Sequence, residues 1–216
     1  MSNKTLDVNE ELLEYILNIG VNETSLQKTL RDETMKLSMA KMQIAPEQAA
    51  FMGFVAKLIN AKNYVEIGVF TGYSMLSVVQ AMGENARATG CDLSKEWTDI
   101  GLYYWKEAGI DKQISLHLDK AERTLMTLAD ETYDLAFIDA DKENYDLYYE
   151  ECLRILNKGA LLMIDNIFWG GSVADIRNDD EETNSIRALN KKIMSDSRVE
   201  ASMLTIGDGL MLVKKL

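Results

Sequence analysis

The stretch that decides the fold is Val65-Glu66-Ile67-Gly68-Val69-Phe70-Thr71-Gly72-Tyr73-Ser74. It begins inside an apolar, β-rich run, Tyr64–Ile67, and runs into a helical pattern near Ser74–Met82. A strand that ends in a glycine-bearing loop ahead of a helix puts that loop at the ligand crevice of a doubly wound sheet. Glycine lets a backbone approach a ligand closely, and the free N–H groups of a helix N-terminus favour a carboxylate or phosphate. The spacing is not GxGxxG. Phe70 takes the place of the second glycine and Tyr73 that of the third, so a dinucleotide pyrophosphate finds little room. Glu66 directs an acid at the crevice, which suits an ammonium group.

Twenty-four residues after Gly68, Asp92 closes the run Thr89-Gly90-Cys91-Asp92. An acid there accepts hydrogen bonds from ribose hydroxyls. A ribose, an ammonium and a carboxylate in one cleft describe S-adenosylmethionine better than a nicotinamide dinucleotide.

Further out, apolar runs at Ala86–Cys91, Ile114–Leu118, Leu135–Ile138 and Ala160–Ile164 alternate with helical patterns near Lys95–Ala108, Ala121–Leu128 and Asn144–Leu156. This alternation predicts an α/β fold with a mostly parallel sheet covered on both faces. A charged helix, Asp180–Met194, then precedes Val199–Ile206, Gly207-Asp208-Gly209 and Leu210–Val213. Asp-Gly between two strand patterns signals a hairpin, so an antiparallel edge is expected. Upstream, helices are read at Val8–Ile19 and Glu47–Asn60, the second with Pro46 in its first turn.

The 216 residues carry 35 acids against 23 bases, a net charge of −12. One domain over residues 1–216 is expected, with a helical segment at 1–60 and the sheet-bearing core at 61–216. The negative field disfavours a nucleic-acid backbone. Two cysteines make no disulfide framework and fit a reducing cytoplasm. The single histidine, His117, excludes His-rich metal sites, and its strand setting predicts a satisfied structural residue. Asp7, Glu10, Glu11 and Glu14 argue against a secretory signal, and no apolar run is long enough to cross a membrane.

Two apolar runs end in acids: Asp139, followed by Asp141 and Lys142, and Asp165-Asn166. If their strands are neighbours, Asp139, Asp165 and Asn166 form an all-oxygen set for a hard cation, Mg²⁺ above all, with Mn²⁺ or Ca²⁺ as alternatives. Lys142, just beyond the strand, is placed to take a proton from a hydroxyl held there.

Four ordered segments carry a resemblance: LINAKNYVEIGVFTGYS from Leu58, FIDADKENY from Phe137, IDNIFWGGSV from Ile164 and IGDGL from Ile206. From about Met42 onward the chain resembles the cation-dependent class I O-methyltransferases, the family of catechol and caffeoyl-coenzyme A O-methyltransferases, above all its small bacterial members. The resemblance implies a Rossmann-like, seven-stranded sheet with a reversed last strand. It also implies Asp139, Asp165 and Asn166 as metal ligands and Lys142 as general base. S-adenosylmethionine would be held by Glu66, Gly68, Phe70, Gly72, Ser74, Asp92 and Leu93. Met42 and Ile44 would form the wall before the first strand, Ala121 the adenine side, and Asp139 and Ala140 the sulfonium side. The implied reaction is methyl transfer to one hydroxyl of a vicinal diol on an aromatic ring, in a homodimer. The four acids Asp179–Glu182 would repel the phosphates of coenzyme A, so a smaller phenolic substrate is expected. Methylation of a hydroxylated uridine in tRNA is the alternative, and it would require Lys28, Arg31, Lys36 and Lys41 to form a local basic strip.

Overall fold

The computed structural model describes residues 6–216. Seven strands, β1 (Asn63–Ile67), β2 (Arg87–Asp92), β3 (Ile114–Leu118), β4 (Tyr133–Ile138), β5 (Leu156–Ile164), β6 (Val199–Leu204) and β7 (Leu210–Lys215), form one sheet in the order β3-β2-β1-β4-β5-β7-β6. The pairs from β3 through β5 are parallel. β7 runs antiparallel to both β5 and β6. The reversed strand thus lies inside the sheet, and β6 forms the edge.

Among the described residues, eight α-helices accompany it: α1 (Glu10–Gly20), α2 (Ser25–Thr34), α3 (Pro46–Leu58), α4 (Tyr73–Met82), α5 (Lys95–Glu107), α6 (Ala121–Leu125), α7 (Tyr145–Ile155) and α8 (Glu181–Ser195). Strand side chains alternate between two cores, as the two-residue pleat requires. Tyr64, Leu135, Phe137 and Met163 pack on one face with Leu30, Met52, Leu76 and Trp105 from α2 to α5. Val65, Ile67, Ala136 and Ile138 pack on the other with Leu125, Tyr149, Cys152 and Leu189 from α6 to α8. Both faces are dry, which is why these strands read as nearly continuous apolar runs.

Three departures from the sequence reading have physical causes. β5 begins at Leu156 rather than Ala160, because Gly159 (φ +81°) is not a turn but part of an irregularity in the β4–β5 pairing. The helix α2 escaped notice because it buries only Leu30 and Thr34, too thin a stripe for periodicity. Its signal was the capping box, with Thr24 Oγ1 accepting from the Gln27 N–H and the Gln27 side chain returning the bond. His117 is exposed on edge strand β3, not enclosed as a satisfied structural histidine would be. No helix among the described residues is long and apolar enough to cross a membrane.

Candidate active site

The ends of β1, β2 and β4 are stitched together by backbone bonds, Gly68 N–H to Cys91 O at 2.9 Å and Asp139 N–H to Ile67 O at 2.9 Å. Gly68 has φ +87°, and a Cβ there would stand 1.9 Å from the Asp139 carbonyl oxygen. The glycine is therefore demanded by the protein's own chain, not by a ligand. Gly72 (φ +78°) caps α4, and a Cβ there would meet the Trp105 ring at 2.6 Å. Phe70 also has a positive φ, 51°, and packs edge-to-face on Trp97 at 5.0 Å.

The Asp92 carboxylate holds this loop. Its Oδ2 accepts the N–H groups of Val69 (2.9 Å) and Phe70 (2.8 Å), and its Oδ1 accepts that of Ser94 at 2.7 Å. Glu66 lies beneath, fully buried, with Ser74 Oγ donating to one oxygen (2.5 Å) and Tyr64 OH to the other at 2.7 Å. Burial pushes its carboxyl up to about 8, against the opposing pull of the two hydroxyls.

Above the loop is a shallow cleft lined by Met42, Ile44, Gly68, Phe70, Ser74 and Asp139 from the expected set, with Gln43, Val69, Thr71 and Tyr73 added. Glu66, Gly72, Asp92, Leu93, Ala121 and Ala140 are not among its lining residues. Leu93 is exposed just past Asp92, Ala121 is buried at the start of α6, and Ala140 is half-buried beside Asp139.

The N-terminal layer grips the same loop, which the sequence reading missed. The hydroxyls of Thr34 and Thr71 are 2.8 Å apart. Tyr73 OH donates to Glu23 (2.6 Å), which also takes a two-pronged bond from Arg31. Tyr104 OH donates to Glu33. These partners are spread over some eighty residues, with no motif to link them.

β4 and β5 are neighbours, so their ends do converge. Lys142 is 6% exposed. Its ammonium donates to Asp139 Oδ1 at 3.2 Å, Asn166 Oδ1 at 2.5 Å and Tyr145 OH at 2.6 Å, and it faces the Trp169 ring at 5.4 Å. Burial raises the Asp165 carboxyl to about 7, helped by the Asp139 charge and opposed by Gln48 and the Asn166 N–H. Burial raises Asp139 too, against the pull of Lys142. Asn166 (φ 58°) and Trp169 (φ 49°) are both left-handed, a local concentration of backbone strain of the kind found at functional sites. Among the described residues no group of three or more His, Cys, Asp or Glu side chains could hold an ion. Here the donor set is two carboxylates and an amide. The Lys142 ammonium between Asp139 and Asn166 marks a point where oxygen donors already converge on positive charge, so the set fits a hard cation.

Comparison with known proteins finds matches along most of the chain. The profile described as O-methyltransferase matches residues 17–216. The chain is 41% identical to probable caffeoyl-CoA O-methyltransferase 2 of Dictyostelium discoideum, over 96% of this chain and 93% of that protein. It is 35% identical to mouse catechol O-methyltransferase domain-containing protein 1, over 95% and 80% of the two. The solved fold of a Podospora anserina methyltransferase, bound to SAH, superposes with a TM-score of 0.88 at 23% identity, covering 99% of each chain.

Proposed function

The chain belongs to the O-methyltransferase family, and from that premise we propose that it moves the methyl group of S-adenosylmethionine to a hydroxyl of a small vicinal-dihydroxy aromatic, with a divalent cation. One observation carries the reading: Asp139 both lines the cleft beside Ser74 and binds the cation-holding point shared by Lys142 and Asn166. Cofactor and acceptor sites therefore meet at one residue.

When bound, S-adenosylmethionine supplies an electrophilic methyl group and the cation supplies positive charge at the accepting oxygen. The chain supplies placement. Gly68, Ser74 and the start of α4 would receive the amino-acid end of the cofactor, with Met42 and Ile44 as its wall. Asp92 keeps the Val69 and Phe70 N–H groups fixed, on the side where the ribose is assigned. Asp139, Asp165 and Asn166 would hold Mg²⁺, or Mn²⁺ or Ca²⁺ in its place. Lys142 Nζ, held by Tyr145, would take the hydroxyl proton as the neutral amine, after releasing its own ammonium proton to solvent. Trp169 offers its ring to the aromatic substrate, and sealing Lys142 from water strengthens each of these charge interactions.

The acidic run Asp179–Glu182 supports a small phenolic over a coenzyme A thioester, although Asp180 also caps α8 by accepting from the Thr183 N–H. The names of the Dictyostelium relatives favour the thioester as second reading. The tRNA reading loses support from the pairing of Lys28 with Asp32 and Arg31 with Glu23. We further propose a cytoplasmic homodimer, with the exposed Tyr15 and Ile19 of α1 and Phe54 and Leu58 of α3 as its apolar contribution.

The test is methyl transfer to caffeate, catecholamines, flavonoids, caffeoyl-coenzyme A and unmodified tRNA, with Mg²⁺ and with EDTA. EDTA-sensitive methylation of a free catechol is expected. Transfer to tRNA alone, or transfer indifferent to EDTA, overturns the reading.

A further inference from the structure

We propose that Arg187 is a positioning residue for the aromatic acceptor: from α8 it fixes the glycine-jointed segment that carries Trp169. The inference rests on the acceptor reading above, in which the Trp169 ring meets the substrate, and adds a residue that acts on that ring from behind.

Trp169 stands where the chain is hardest to hold. Its φ of 49° is left-handed, a conformation that a bulky side chain keeps only when its surroundings impose it. Gly170 and Gly171 follow, at φ +61° and +86°, and a Cβ on either would meet no atom beyond the adjoining residues within 4 Å. No packed neighbour demands these glycines. They form a loose joint directly after the ring. The ring faces the Lys142 ammonium at 5.4 Å, and a free joint would let it leave that position.

Arg187 closes the joint from its far side. It is half-buried in the second turn of α8. Its Nη2 donates to Ser172 O at 2.9 Å and to Asp175 O at 2.5 Å, and its Nε to Val173 O at 3.0 Å. Its Nη1 donates to Asn178 O at 2.8 Å and to Asn184 Oδ1 at 3.1 Å. The guanidinium fork is thereby filled, and every acceptor but Asn184 is a main-chain carbonyl. In a chain with 35 acids, this side chain directs its hydrogen bonds to backbone shape rather than to a carboxylate. Bonds from a charged donor are the stronger kind.

Two further groups hold the near side. Asn190, three residues on along α8, donates from Nδ2 to Ile167 O at 2.9 Å. From the β6–β7 hairpin, Asp208 Oδ1 accepts the Gly170 N–H at 2.8 Å. Of the three, only Arg187 acts beyond the glycine pair. A lysine at 187 would keep the charge, but donors on a single nitrogen cannot span carbonyls from Ser172 to Asn178.

The experiment compares the wild type, Arg187→Lys, Arg187→Met, Trp169→Ala and the double variant Trp169→Ala/Arg187→Met. Initial rates are measured with caffeate, or the phenolic acceptor that the screen above selects, at saturating S-adenosylmethionine. Calorimetry gives cofactor affinity. Both Arg187 variants are expected to raise the acceptor KM about tenfold, with kcat within about threefold of wild type. Affinity for S-adenosylmethionine should stay within about twofold, and in the Trp169→Ala background Arg187→Met should add less than about twofold to KM. Arg187→Lys carries the test if Arg187→Met does not fold. A wild-type KM in the Arg187 variants overturns the inference and leaves the functional reading intact. So does a full, additive rise in the Trp169→Ala background, or a joint loss of kcat and cofactor affinity, either of which assigns Arg187 to general packing. A wild type inactive on every phenolic acceptor removes the functional reading, and this inference with it.

Discussion

The hydroxyls of Thr34 and Thr71 lie 2.8 Å apart and wholly out of solvent, joining the last turn of α2 to the loop that follows β1. The N-terminal layer is therefore wired to the loop between β1 and α4 through polar bonds, beside the apolar packing of Leu30. Thr34→Val keeps the shape and removes the bond. It is expected to weaken S-adenosylmethionine binding about 3–10-fold, the equivalent of roughly 1 kcal/mol for one buried hydrogen bond. Isothermal titration calorimetry checks this, and unchanged affinity would detach α2 from the site.

Lys142→Ala is expected to lower turnover by about 10²–10⁴-fold, the range for a positioned proton acceptor. Affinity for S-adenosylmethionine should stay within about twofold, because Lys142 is not among the residues lining the cleft. Steady-state kinetics paired with calorimetry separates the two. Full turnover in the variant removes Lys142 as base.

Gly68→Ala tests the packing account of the loop. Its Cβ would collide with the Asp139 carbonyl in a backbone conformation closed to most side chains. A loss of about 3–5 kcal/mol in unfolding free energy is expected, read by urea denaturation. A mild loss would mean that Gly68 serves a ligand rather than the fold.

Glu66 gives the stability a pH slope. Its folded carboxyl titrates near 8, above the ordinary value of 4.5. The folded state therefore holds a proton that the unfolded state releases between those limits. Its stabilising contribution is complete below about pH 4.5 and is lost as pH rises through about 8. Glu66→Gln is expected to flatten the fall in melting temperature between pH 5 and pH 8. Parallel slopes for the two proteins would refute the shift.

The sheet was legible because both of its faces are dry: β1 and β4 announce themselves as apolar runs. Asp139, Lys142, Asp165 and Asn166 were legible because each follows such a run, and adjacency of β4 and β5 does the rest. The glycines misled about cause, since Gly68 and Gly72 make room for Asp139 and Trp105. Glu66 and Asp92 were found in the right neighbourhood but are engaged with hydroxyl and backbone groups. The grip of Glu23 and Thr34 on the loop and the start of α4, and of Glu33 on Tyr104 of α5, was invisible, because contacts made across forty to seventy residues of chain leave no local pattern.

The Lys142 ammonium between Asp139 and Asn166 carries one more consequence. Two acids enclosed side by side would repel each other and favour a swollen or misfolded chain. The polypeptide brings its own counter-charge to this point. On the proposed metal reading, loading the centre would exchange one cation for another rather than neutralise a bare pair of acids.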